Sequence, residues 1–292
     1  MAYFYLFLAI CASAALSVMS TLFNRKNTTC KNVSIFYNLL VTFSAFCSWT
    51  IVFCFRPTFN VKVLGYSFLY AVFYTMALTG LFKALQYGSV ALTAFVKQLS
   101  LIGVCIWGLL FWNSPFSMFV GIGLFLIVIA LYFCFGHGKS NAVEKNASIG
   151  KWMFFALILL IGNAGCSIVQ KYQQLAFDGK YGNALMVCGI GFSTIFCAVF
   201  FAISKKDDIK NLSPKTLLFP VVAGGSSAAL NLFIILLMSS TLSISIIFVS
   251  IAVGGILLTT LFSLCVYKEK LKKAQWLGLV LGVIAVAFLN IG

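Results

Sequence analysis

Residues able to do chemistry are few in this chain, and their placement is uneven. The five carboxylates, Glu144, Asp178, Asp207, Asp208 and Glu269, and the single histidine, His137, all fall between long apolar runs. Lys97 does the opposite. It lies inside such a run, after Phe95 and Val96 and before Leu99. If that run crosses a bilayer, the ammonium is expensive to bury, and charges at such depth ordinarily face a cavity or a partner and mark a solute path. Lys97 is therefore expected to anchor a carboxylate or phosphate group. The alternatives are a stem that snorkels toward the interface and solvation by carbonyls and the adjacent Gln98.

Uncharged polar residues at similar depth form a second set: Asn38, Tyr74, Gln98, Asn163, Gln170 and Asn231. Each can donate and accept hydrogen bonds. With Lys97 they make the expected substrate-binding group, able to orient a zwitterionic or hydroxylated solute, with Trp49, Tyr74 and Phe95 as walls. Singly, each also fits an interhelical hydrogen bond, worth on average less than about 1 kcal/mol.

The same inventory argues against an enzyme. Catalysis on lipid-embedded substrates needs a nucleophile with a base, or paired carboxylates, and no apolar run holds an Asp, Glu or His. The missing intramembrane acid also argues against exchange of a cation for a proton. A lone histidine without partners does not make a metal site, and no cofactor is expected. Nine of the ten cysteines lie in apolar runs, with Cys30 the exception, so they read as small core residues rather than as cross-links.

The elements that must position these residues follow from composition. Of 292 residues, 62% are hydrophobic and 9% charged, against about a quarter charged in globular chains. Runs bounded by charge, Asn or Pro give ten segments, at 3–23, 34–55, 63–82, 89–112, 117–136, 152–170, 182–204, 215–238, 241–266 and 274–291. All must be helical, because lipid supplies no partner for free backbone groups. The expected class is an all-α membrane protein with ten transmembrane helices. The net charge of +15 then reflects topology rather than nucleic-acid binding. Fifteen Lys and Arg follow odd-numbered segments and four follow even-numbered ones. By the positive-inside rule the odd connectors are cytoplasmic, and both termini share the opposite side.

The chain also divides at the polar stretch from His137 to Lys151 into two five-segment halves, 1–140 and 148–292. Ser17-Val18-Met19-Ser20 matches Ser167-Ile168-Val169-Gln170, and Phe43-Ser44 matches Phe192-Ser193. The stretch from Ala84 to Leu92 parallels that from Leu236 to Ile244. An odd-numbered unit followed by its copy must invert, so two inverted five-helix repeats are expected. Gly278 and Gly282 in the last segment make a small-residue association face. It would pack within the chain, on the fifth segment, or against a second copy in a homodimer.

The C-terminal fifty residues resemble EamA-type members of the drug/metabolite transporter superfamily. The likeness is carried by Gly254-Gly255, by Glu269 followed by Leu271, and by Gln275 and Gly278 entering the final segment. In the first half, Phe111-Trp112-Asn113-Ser114-Pro115 occupies the connector where relatives carry a second acidic motif. The resemblance implies a secondary, non-ATP transporter in the plasma membrane, exporting or exchanging a small metabolite by alternating access. Lys97 favours an anionic or zwitterionic cargo such as an amino acid. The competing reading is a non-transporting membrane partner or assembly subunit. Because Glu269 is assigned to a connector, Glu269→Gln is expected to leave flux in proteoliposomes unchanged. Strict dependence on that charge would restore proton coupling as a mechanism.

Overall fold

The computed structural model describes residues 2–26, 33–111, 117–136, 148–204, 214–238, 244–267 and 273–291. They form α1 (Ala2–Lys26), α2 (Val33–Phe55), α3 (Val63–Tyr87), α4 (Val90–Phe111), α5 (Met118–Gly136), α6 (Ile149–Ala176), α7 (Gly182–Ile203), α8 (Leu218–Met238), α9 (Ile244–Tyr267) and α10 (Lys273–Ile291). A short 3₁₀ turn, Pro214–Leu217, leads into α8. Six stretches among the described residues are long and apolar enough to cross a membrane: α1, α2, α3, α6, α7 and Lys215–Ile234. The connector residues His137, Glu144, Asp207, Asp208, Glu269 and Leu271 lie outside the described residues.

Helix ends follow local chemistry. Ser117 caps α5 by accepting from the Phe119 N–H at 3.1 Å. α6 stops where Asp178 (φ 51°) and Gly179 (φ 74°) turn left-handed, a conformation that a continuing helix cannot hold. Three helices outrun the segments expected from charge alone by three residues or more, α1 past residue 23 to Lys26, α3 past residue 82 and α6 at both ends. Lys83, Lys151 and Lys171 sit on these helices rather than in loops. A 28-residue α6 spans roughly 42 Å, more than a hydrocarbon core of about 30 Å, so its charged ends have room to reach the interface. Lys151 Nζ there stands 5.5 Å from the centre of the Tyr87 ring.

Large apolar side chains point outward, Phe7, Ile51, Phe125, Phe154, Ile195 and Leu261 among them. Small and hydroxyl residues are buried, including Ser13, Ser17, Thr42, Thr93 and Ser193. That arrangement suits lipid, which is as apolar as Leu and leaves close packing and hydrogen bonds to hold helices together. α3 and α6 cross closest. A Cβ on Gly80 would lie 2.5 Å from the Leu159 backbone nitrogen, and one on Gly162 2.5 Å from that of Ala77. Since Gly80 meets Leu159 while Phe73 meets Gly165, α3 and α6 run antiparallel. Gly278 and Gly282 are both buried within the chain, and Gly282 meets the Phe95 ring of α4.

Helix neighbours recur five positions apart. α3 packs on α6 as α1 packs on α8, α3 on α7 as α2 on α8, and α4 on α6 as α1 on α9. α2 pairs with α7, α4 with α9 and α5 with α10. Gly80→Ala is expected to destabilise the α3–α6 seam by about 1–3 kcal/mol, the usual cost of overpacking. Gly65→Ala, with nothing within 4 Å of its would-be Cβ, should not. Thermal melting of detergent-purified protein separates the two, and equal melting would mean that the seam is loose.

Candidate functional site

Six helices leave a space between them. A cavity of ≈190 Å³ is lined by residues of α1, α3, α4, α6, α8 and α9, while α2, α5, α7 and α10 contribute none of its described wall. The polar side chains in this wall come from single helix faces. Tyr70 and Tyr74, one turn apart on α3, stack at 5.7 Å between centroids. Asn163, Ser167 and Gln170 follow at spacings of four and three on α6, and Ser227 and Asn231 at four on α8, the spacings that share a helix face. Ser13 and Ser100 complete the polar lining from α1 and α4. Leu16, Leu78, Leu159 and Ile251 supply apolar wall.

Most of these polar groups are already engaged. The Tyr74 hydroxyl and Ser227 Oγ share a hydrogen bond of 3.0 Å that ties α3 to α8. Asn231 Nδ2 donates to the Ser227 carbonyl at 2.9 Å, Ser167 Oγ to that of Asn163 at 3.2 Å, and Ser100 Oγ to that of Lys97 at 2.8 Å. Gln170 Nε2 reaches only the Met186 sulfur, at 3.8 Å. Two donor atoms of the described wall are fully buried without a partner. Lys97 is partly exposed as a residue, yet its Nζ is buried and makes no hydrogen bond, and the same holds for Asn163 Nδ2. A buried donor left unmade costs its desolvation, and in a native protein such an atom calls for an explanation.

Two tryptophans bracket the cavity along α4 and α6. Trp152 Nε1 donates to Thr93 Oγ1 at 3.0 Å, and Trp107 Nε1 donates to the Tyr172 hydroxyl at 3.1 Å. Between them a Cβ on Gly103 would meet Ala164, so the two helices run parallel past Lys97 and Asn163.

Of the residues expected from sequence, Lys97, Tyr74, Asn163, Gln170 and Asn231 line this one cavity. Asn38 does not. Its Nδ2 donates to Thr79 Oγ1 at 3.1 Å, an α2–α3 tie, because α2 contributes nothing to the described wall. The Gln98 side chain lies outside the described residues. Of the three expected aromatic walls only Tyr74 serves. Trp49 is buried elsewhere in the core, and Phe95 packs against Gly282. Sequence reading missed Ser13, Tyr70, Ser100, Ser167 and Ser227. The four-residue pairings Tyr70/Tyr74, Asn163/Ser167 and Ser227/Asn231 were the available signal. No three His, Cys, Asp or Glu side chains converge as metal ligands among the described residues.

The model of a family described as "Sugar transport protein" matches residues 16–291. Among solved structures, a chain described only as "Crystal structure of protein" superposes with a TM-score of 0.62 at 13% identity, over 98% of this chain and 95% of that one. At that identity the likeness shows the fold alone. No curated protein matches the sequence.

An unpaired buried ammonium opposes folding. Lys97→Met is therefore expected to raise the melting temperature of the ligand-free protein in detergent, with a gain of about 1–4 kcal/mol. A clear loss of stability would mean that the ammonium is satisfied within the fold.

Proposed function

The chain belongs to the sugar transport protein family, and from that premise we propose that it is a secondary, non-ATP transporter moving a small hydroxylated solute of the sugar class by alternating access. It is an integral membrane protein, with at least six apolar helices of crossing length. The cavity carries the reading: a space at the meeting of six helices whose largely apolar wall is set with serine and tyrosine hydroxyls and amides, which an assembly subunit without cargo would have no reason to maintain. Its ≈190 Å³ falls below the roughly 300–1,000 Å³ of pockets for drug-sized ligands and favours a cargo about the size of a single sugar ring.

Ten crossings arranged as two inverted five-helix repeats, 1–140 and 148–292, belong to the same proposal. The recurrence of helix neighbours five positions apart supports it. So does the register that pairs Ser17 with Ser167, because it also pairs Ser13 with Asn163 and Leu16 with Cys166, all four in the cavity wall. The antiparallel crossing of α3 and α6, with α4 parallel to α6, is the sense that ten alternating crossings require. Such duplicated bundles rock about a central site. The cavity would then be that site, with the Thr93–Trp152 and Trp107–Tyr172 contacts closing its two ends.

The EamA-type resemblance remains part of the proposal, as do export or exchange as the direction and the plasma membrane as the location. Of the residues that carry that resemblance, Gln275 and Gly278 are both buried in α10. An amino acid is the weaker cargo, since no described residue of the wall is acidic and its ammonium would meet Lys97 instead of a carboxylate. Purified protein in liposomes preloaded with unlabelled monosaccharide should accumulate the labelled sugar by counterflow, and Ser167→Trp, which fills the cavity, should reduce that flux to the protein-free level. Flux indifferent to the tryptophan would place the pathway elsewhere, and no flux for any sugar would end this reading.

A further inference from the structure

The unpartnered donors of the cavity narrow the cargo further, an argument that rests on the transporter reading above. Lys97 Nζ and Asn163 Nδ2 sit on residues of the same wall, on adjoining helices, and both are buried without a hydrogen-bond partner. They are donor-only nitrogens, three N–H on the ammonium and two on the amide. Of the hydroxyls around them, those of Tyr74, Ser227, Ser100 and Ser167 are engaged with each other or with carbonyls. The described wall holds neutral acceptors in the side chains of Asn163, Gln170 and Asn231 but no anion, and one of its idle donors carries a positive charge.

Nothing described in the protein can supply the missing charge. The only acidic residue among those described, Asp178, lies in the turn after α6, away from the wall. The register that aligns Val90 with Leu242 sets Val249 against Lys97, so the second half repeats no cation there, and Lys97 is the single charge among the described residues of the wall. A neutral sugar would accept hydrogen bonds from the ammonium but leave its charge uncompensated. A bare inorganic anion would satisfy Lys97 and leave the tyrosine and serine side of the wall, where Tyr70 and Ser13 stand beside the Tyr74–Ser227 pair, with no ligand to contact. A solute with hydroxyls at one end and an anionic group at the other meets both.

We propose that the cargo is an anionic sugar, a small polyol bearing a carboxylate or a phosphate, and that Lys97 and Asn163 form the subsite for its anionic group. The hydroxylated body lies toward Tyr70, Tyr74 and Ser227. Cargo binding supplies the counter-charge that the folded chain withholds, so the empty cavity is the less stable state.

The test is a thermal-shift titration of detergent-purified protein with D-glucose, D-glucuronate, D-glucose 6-phosphate and inorganic phosphate, since a ligand that stabilises binds the folded form. At least one of the two sugar anions should act at a concentration roughly tenfold or more below that of glucose, as a charge-assisted hydrogen bond implies. The more effective of the two identifies carboxylate or phosphate. Lys97→Gln should close the gap between the sugar anions and glucose, Lys97→Arg should keep it, and Asn163→Ala should narrow it. Glucose acting as well as both anions, or a gap that survives Lys97→Gln, would overturn the anion subsite while leaving sugar transport standing. Inorganic phosphate equalling the sugar anions would overturn the sugar part of the proposal. Silence from all four probes, together with no sugar flux in proteoliposomes, would remove both readings.

Discussion

Hydrocarbon offers a helix neither a hydrogen-bond partner nor a hydrophobic reason to leave it for a neighbour. That constraint orders the whole molecule. Bulky apolar side chains turn toward the lipid, and serines, threonines and glycines turn inward. The contacts that remain to hold the bundle are backbone approaches and short polar ties. Gly80 and Gly162 let α3 and α6 touch backbone to backbone. Tyr74–Ser227, Asn38–Thr79 and Thr75–Ser193 then pin α3 to α8, α2 and α7. α3 is thus held by four helices, α6 through its backbone and the other three through hydrogen bonds.

Against that background an idle buried donor stands out. Cores in lipid satisfy polar atoms because no water competes for them, and the cavity wall mostly does so. Lys97 and Asn163 are exceptions on one surface. Other buried atoms also lack partners, such as Trp49 Nε1 and Asn38 Oδ1, but those residues line no described cavity wall. The conjunction of an unmet donor, a charge and an open volume separates a site from ordinary imperfection in packing. A buried charge kept unpaired beside an open volume is the pattern expected when function is favoured over fold.

The correspondence of neighbours five helices apart gives the cavity its position. α1, α3 and α4 face it from one half, and α6, α8 and α9 from the other. The helices left out, α2, α5, α7 and α10, form corresponding pairs, α2 with α7 and α5 with α10. The wall is symmetric in helices and asymmetric in chemistry, since the cation belongs to α4 alone. An asymmetric site suits a cargo with two unlike ends.

Sequence alone determined the solvent, the class and five of the polar residues that line the cavity. A chain with 9% charged residues has no stable form but a bundle of helices in lipid, and a lysine inside an apolar run is conspicuous wherever it falls. Apolar periodicity does not say which face of a helix meets which neighbour, and there the structure alone decides. Asn38 and Asn163 look alike as single residues in apolar runs, yet one ties α2 to α3 and the other opens into the cavity. The difference lies in which helices stand beside them. Ser13, Ser100 and Ser227 gained their place for the same reason, because a serine is too common in a membrane helix to be noticed until the fold sets it against an open space. Helix ends were misjudged where charge was read as loop, since a long lysine stem can leave the bilayer while its backbone stays helical.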